Sequence, residues 1–265
     1  MTELARPLET GWLPDTPIGD SLLRRFIANQ ADLQDHLVGA VGGRRNRTLD
    51  VALSDSGVPA AYLNWAVLLR PISDAHDPVL DQVASFYAGS VGLLLSAWPT
   101  PDLTSRGWRL VGHPMFLVRG PVDKSADAPP NEVNVRCAGS ADDLALVERI
   151  LIDGYPMPEL DGLPANRAMG PALLGSPVRH WIGYLDGTPT ATAASHTTHG
   201  VVNLCLAATL PAARRRGVWR ALVAARCAET PDLPAVTFTS DYSRPGFLRM
   251  GFLPITRFTL WAIAA

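Results

Sequence analysis

Apolar residues recur along this chain in two periods, and the switches between them predict a series of strands and helices. The second half is the clearer. Residues 132–137 alternate apolar and polar, as a half-buried strand does. Ser140 stands as a helix cap before Leu144, Val147, Ile150 and Leu151, which share one helical face. A loop rich in Pro and Gly follows over 154–177. Residues 178–185 read as a strand, Asp186-Gly187 as a hairpin turn and 190–195 as the return strand. An apolar run at 201–208 has strand character. A helix is expected over 218–229, then a strand over 235–239, a short helix ending at Met250-Gly251-Phe252, and a last strand over 257–263.

The first half repeats part of this order. Leu69-Arg70-Pro71 can be laid on Thr209-Leu210-Pro211, which brings a helix expected over 78–88 onto 218–228 and a strand over 93–97 near 235–239. Asp77 as cap and Pro78 at the first helical position mark that helix start. Gly107-Trp108 pairs with Gly251-Phe252, and each pair precedes a terminal strand, 109–119 or 253–263. The pattern predicts an α/β fold (α+β, mixed sheet) in two tandem units, 1–122 and 132–265. A linker at 123–131, with proline, alanine and charge but no apolar period, joins them.

Composition narrows the function. The chain has 265 residues and a net charge of −2, without the sustained basic excess that nucleic acid or a membrane surface requires, so neither partner is expected. Cys137, Cys205 and Cys227 are far apart and form no CxxC pair. With no signal-peptide pattern at the start, they point to a reducing, cytoplasmic location. The His196-x-x-His199 spacing lacks a third ligand, so no metal is expected. The chain is expected to be a monomer or homodimer.

The positive charge is instead concentrated at one place. The run at 201–208 ends in Leu210-Pro-Ala-Ala-Arg-Arg-Arg-Gly-Val-Trp-Arg-Ala-Leu222, which opens a helix. The first turn of a helix has unpaired N–H groups and carries roughly +0.5 of a charge. Gly217 allows close approach of the backbone, and Arg214, Arg215, Arg216 and Arg220 surround it with charge. Such a turn suits a pyrophosphate, although arginine runs are also ordinary solvated faces. Opposite Arg214, Arg216 and Gly217 the first half has Asp74, His76 and Asp77. Those carboxylates would repel a pyrophosphate.

In these residues the second half resembles the GCN5-related N-acetyltransferase (GNAT) superfamily, whose signature Gln/Arg-x-x-Gly-x-Gly/Ala is matched by Arg214-Arg-Arg-Gly217-Val-Trp219. The resemblance covers about 133–263, with a degenerate echo over about 21–119. It implies acetyl-CoA as cosubstrate and acetyl transfer to a primary amine, here of a small molecule, by direct attack in a ternary complex. The pantetheine arm would pair with the backbone of Leu206, Ala207, Ala208 and Thr209. The pyrophosphate would lie on the amides of Arg215, Arg216, Gly217, Val218, Trp219 and Arg220, with Ser240 and Phe247 completing the cleft. Three departures stand out: Trp219 replaces a small signature residue, Phe247 a tyrosine acid, and Asn203 a glutamate base. Candidate catalytic groups are therefore Tyr242, Ser240 and His199, with His196 as an alternative base and Cys205 as a strand residue able to face the cleft. The loop at 154–177, with Tyr155, Met157, Glu159, Asp161 and Arg167, is where the acceptor site is expected. The alternative is a non-catalytic acyl-CoA-binding or interaction module.

Overall fold

The computed structural model describes residues 19–121, 132–155 and 157–263. The start of the chain and the expected linker at 123–131 lie outside the described residues. The first half contains α1 (Gly19–Ala40), β1 (Arg44–Arg47), β2 (Val51–Asp55), β3 (Trp65–Leu68), α2 (Pro78–Phe86), β4 (Gly92–Ser96), β5 (Arg109–Gly112) and β6 (Met115–Arg119). The second contains β7 (Val133–Cys137), α3 (Ala141–Gly154), β8 (Val178–Leu185), β9 (Thr188–Thr198), β10 (Val201–Thr209), α4 (Val218–Glu229), β11 (Ala235–Thr239), α5 (Arg244–Arg249), β12 (Leu253–Arg257) and β13 (Thr259–Ile263). Local signals act as expected: Ser140 Oγ accepts from Asp143 N–H, and Asp77 accepts from Val79 N–H behind Pro78.

Two mixed sheets result, ordered β1-β2-β3-β4-β13-β5 and β12-β6-β11-β10-β9-β8-β7. In each, an antiparallel meander leads to one parallel pair, β3 with β4 and β10 with β11. The terminal strands depart from the sequence pattern. Neither 109–119 nor 253–263 is one strand; each breaks in two and sends its second piece into the other half's sheet. β6 lies between β11 and β12, and β13 lies between β4 and β5, all antiparallel. The breaks fall at Pro114, which has no N–H to continue a ladder, and at Phe258. There the crossing strands join through Phe258 N–H to Pro114 O (2.9 Å) and Arg257 Nη1 to His113 O (2.7 Å).

The crossing is packed by aromatic rings. Phe258 stacks on Phe116 of β6 (centroids 5.2 Å apart) and on Phe26 of α1 (5.4 Å), and all three are fully buried. Helix α1 touches both sheets. Its Phe26 and Ile27 join the core at the crossing, while Leu33 and Leu37 pack with Leu144, Val147 and Ile150 of α3. Polar groups on the same helix meet the second sheet. Asn29 Nδ2 donates to His196 O (3.0 Å) and Thr198 Oγ1 (3.0 Å), and Asn29 Oδ1 accepts from His196 Nδ1 (3.0 Å). Because the Asn29 nitrogen is fixed by a carbonyl, its oxygen faces the ring and Nδ1 of His196 carries a proton, while burial favours the neutral ring.

Two expectations follow. With each half holding the other's last strand, a chain cut by a protease at a site inserted within 122–131 should still elute as one particle on size exclusion; separation into two peaks in native buffer would contradict the exchange. The second expectation concerns acid. His180 and His196 are buried, and desolvation pulls each down to about 4. Unfolded histidine titrates near 6.5, so the unfolded chain binds more protons between about 6.5 and 4, and stability falls as pH drops through that window, by roughly 3 kcal/mol per histidine at the limit. Urea midpoints at pH 7 and pH 4.5 measure this, and His180→Phe should lose part of the acid dependence; an equal shift in both proteins would contradict it.

Candidate functional site

β10 and β11 are in register only at Val202↔Ala235 and Asn203↔Val236, after which they part. β10 also breaks register with β9 between Cys205 and Ala208, and Leu206 takes a left-handed conformation (φ 48°). The backbone of Leu206, Ala207, Ala208 and Thr209 thus lies beyond the parallel pairing, beside a V-shaped opening. Thr237 Oγ1 of β11 replaces one lost ladder bond by donating to Leu204 O at 2.7 Å.

The arginine turn follows this opening. Arg214 ties the end of β10 to α3, donating from Nε to Thr209 O (3.1 Å) and from Nη2 to Gly154 O (3.2 Å). Arg216 Nη2 pairs with Asp186 Oδ2 on the β8–β9 turn (3.3 Å). These two arginines therefore hold the turn rather than project from it. Arg215 and Arg220 are exposed, with Arg215 at φ 65°. Gly217 caps α4 with a left-handed φ of 87° and no side-chain hydrogen bond, and the helix's first backbone bond is Ala221 N–H to Gly217 O (3.0 Å). The amides before Ala221 precede the first intrahelical bond, so α4 begins with unpaired N–H groups and a positive end. Val218 is buried beneath it.

Trp219 is half-buried and packs against the core cluster that includes Val202, Leu204 and Phe247. Its ring meets Phe247 edge to face (centroids 4.8 Å, 84°) and lies over Gly246, where a Cβ would come within 2.8 Å. It thus bridges α4 and α5 on the side where β10 and β11 diverge. Phe247 is buried against Phe252, in a cluster with Val202, Leu204 and Val223.

The catalytic candidates are not brought together. Tyr242 is fully exposed. Ser240 sits at the entry to α5, where its carbonyl accepts from Arg244 N–H (3.1 Å) and its Oγ lies 3.3 Å from Ser243 Oγ, so it serves the helix start. His199 occupies the β9–β10 turn and pairs with Asp32 of α1 at 2.6 Å. At strand rise it lies about 20 Å from Leu206. The polar turn that made it a candidate base is a contact between the halves. His196 is buried in the same contact, and Asn203 donates to Gln30 Oε1 of α1 at 2.9 Å. Burial pushes the Cys205 thiol up to about 12, which keeps it protonated at neutral pH. In the loop at 154–177 Glu159 and Asp161 are exposed and Met157 is buried. Arg167 ties the loop to the first half through Ser56 O (3.1 Å), and Glu148 Oε2 accepts from Ala168 and Met169 N–H. Tyr155, exposed beside Gly154, ends α3 next to Arg214's anchor.

Two residues at the opening were missed by sequence reasoning, Thr237 and Arg226. Arg226 is fully buried on the stripe Val218, Leu222, Arg226 of α4. The helical period alone placed it there.

The corresponding place in the first half is filled from within. Asp77 Oδ1 accepts from Val79 N–H at the start of α2 (3.0 Å). Arg70 grips the same carboxylate with two bonds (2.7 and 2.8 Å) and reaches Asp50 at 2.8 Å. Its guanidinium holds the Asp77 carboxyl below the usual range. A side-chain carboxylate therefore occupies the end of α2, where α4 has none.

Comparison with known proteins agrees with this geometry. No protein-family model matches the chain, and no curated protein does. Among solved structures, a GCN5-related N-acetyltransferase from Kribbella flavida superimposes with a TM-score of 0.61 at 19% identity, covering 89% of this chain and 95% of that one. A conserved protein of unknown function from Staphylococcus epidermidis gives 0.58 at 10% identity, covering 84% and 94%. A GNAT-family protein from Novosphingobium aromaticivorans gives 0.55 at 15%, covering 91% and 97%. At these identities the likeness establishes the fold: the chain has a GNAT fold built on two mixed sheets. Among the described residues no helix is long and apolar enough to cross a membrane, and no group of three or more His, Cys, Asp or Glu is placed to hold a metal.

The self-filled end of α2 makes a stability prediction. Asp77→Ala should cost about 1–2 kcal/mol in urea unfolding, and Asp77→Ser, which keeps a capping oxygen, should recover roughly half of it. Equal losses would show that the cap contributes nothing.

Proposed function

We propose that this chain is an acetyl-CoA-dependent N-acyltransferase whose second half binds the cosubstrate, while the first half is a degenerate copy with a structural role. One contrast carries the reading. Two helices begin at corresponding places, and one is closed by its own carboxylate while the other starts on Gly217 without a cap, beside a splayed strand. The amides from Arg215 to Arg220 would receive a pyrophosphate, with the helix end and the exposed Arg215 supplying positive potential. The backbone of Leu206 to Thr209 would pair with the pantetheine arm. Acetyl-CoA supplies an acetyl thioester; the bulged backbone would offer an N–H to its carbonyl, and the ternary geometry would bring the amine to it. The acceptor loop is anchored to the first half through Arg167, so that half walls one side of the opening. This favours a small-molecule amine over a broad protein surface.

The second reading, a non-catalytic acyl-CoA-binding module, draws on a specific observation. Phe247 cannot donate a proton, and the nominated substitutes stand exposed, in a helix start or at the far end of β10.

Titration calorimetry with acetyl-CoA and with CoA tests the shared claim. One site per chain is expected, with at least tenfold weaker binding in Gly217→Asp than in Gly217→Asn. Both replacements meet the same backbone conformation, and only the first adds a carboxylate. Absence of binding to the unmodified protein, or equal affinity in the two variants, would overturn the cradle. Thiol release with a panel of primary amines then separates enzyme from binding module.

A further inference from the structure

We propose that Arg226 is a positioning residue for the transfer reaction: its buried guanidinium holds the β10 bulge, and with it the backbone that faces the acyl group, in working geometry. The proposal rests on the splay between β10 and β11 being the acyl-CoA cleft.

Arg226 is fully buried, and its described hydrogen bonds all run to carbonyl oxygens. Nε donates to Leu222 O at 2.9 Å, within its own helix. Nη1 donates to Ala194 O at 2.9 Å, with a longer contact of 3.5 Å to Cys205 O. Nη2 finds no partner among the described residues. Burial lowers the group to about 10, so it stays a cation at neutral pH. A buried cation held by carbonyls alone is costly, and an apolar side chain of similar volume would fill the same space more cheaply. Packing therefore does not account for it.

Its position does. Ala194 and Cys205 face each other across β9 and β10 in the last regular pair before the bulge, and Leu206 turns left-handed one residue later. One nitrogen, Nη1, thus lies against carbonyls of both strands at the last pair before the ladder fails. From the other side, Thr237 Oγ1 takes Leu204 O. Two consecutive β10 carbonyls are held by side chains, one from the helix that carries the arginine turn and one from the diverging strand. With Nε fixed on Leu222 O, the planar guanidinium aims Nη1 at the β9–β10 pair, a direction that a lysine's flexible stem does not fix. Leu206, a branched side chain in a conformation that L-residues rarely adopt, is then kept there by its neighbours.

Arg226→Met and Arg226→Lys test this with two readouts. In ligand-free protein, hydrogen exchange at the amides of residues 206–209 should accelerate at least tenfold in Arg226→Met and less in Arg226→Lys, with α3 and β8 unchanged. With acetyl-CoA labelled with carbon-13 at the carbonyl, the infrared shift of the bound carbonyl should fall by half or more in Arg226→Met, while affinity for CoA stays within twofold. Wild-type exchange at 206–209 in both variants would overturn the proposal. So would an unchanged carbonyl band, or loosening spread over the whole sheet or loss of folding in both variants, which would mark a general core role. If the unmodified protein binds no acetyl-CoA, the functional reading fails by itself, and the exchange data still decide whether Arg226 holds the bulge.

Discussion

Everything else in this molecule depends on the crossing at Pro114 and Phe258. Each sheet is completed only by a strand from the opposite half, so the two halves cannot shift against each other without breaking ladders in both. The rings of Phe26, Phe116 and Phe258 fill the crossing, and each buried phenylalanine contributes roughly 2–3 kcal/mol of transfer free energy. Helix α1 adds a third connection. It spans both sheets with an apolar face and meets the second through amides and a histidine pair, including Asn29 with His196 and Gln30 with Asn203.

Rigidity at the crossing gives the opening in the second sheet something to be open against. A strand that bulges and splays loses ladder bonds, and the carbonyls so released need other partners. Thr237 supplies one at Leu204 and Arg214 one at Thr209, while Arg226 braces the last regular pair by bonding Ala194 O. The arginine run is therefore mixed in purpose. Arg214 and Arg216 brace the turn, and Arg215 and Arg220 lie outside it. In the first half, Asp77 and Arg70 meet the need for charge at the helix end internally. The start of α2 is closed by a side-chain carboxylate, and the start of α4 is not.

Much of this was legible in the sequence because it is local. The strands at 178–185 and 235–239 and the helix at 218–229 coincide with the observed elements, and the Ser140 and Asp77 caps stand where their side chains require. The difference between the two helix starts could also be read, since it follows from Asp77 against Gly217. The exchange of β6 and β13 could not be. Periodicity says that a segment is a strand and which face is apolar, but a strand of either half has the same alternation whichever sheet receives it. The partner of His199 was hidden for a related reason. A histidine in a polar turn looks available until a carboxylate 167 positions away, Asp32, is brought against it. Arg226 lay in plain view on a buried stripe, yet a basic helix made another arginine unremarkable.

The exchange also governs how the chain must be made. Strand β4, with the buried run Gly-Leu-Leu-Leu-Ser, has no neighbour on one side until Thr259–Ile263 arrives. At a synthesis rate of about 5–20 residues per second, that edge is exposed for on the order of ten seconds after it emerges. Nascent β4 is thus an apolar template able to pair with another chain on the same polysome. The first half cannot complete its sheet until residues 259–263 have been made, and a chain stopped short of them carries an open, apolar sheet edge.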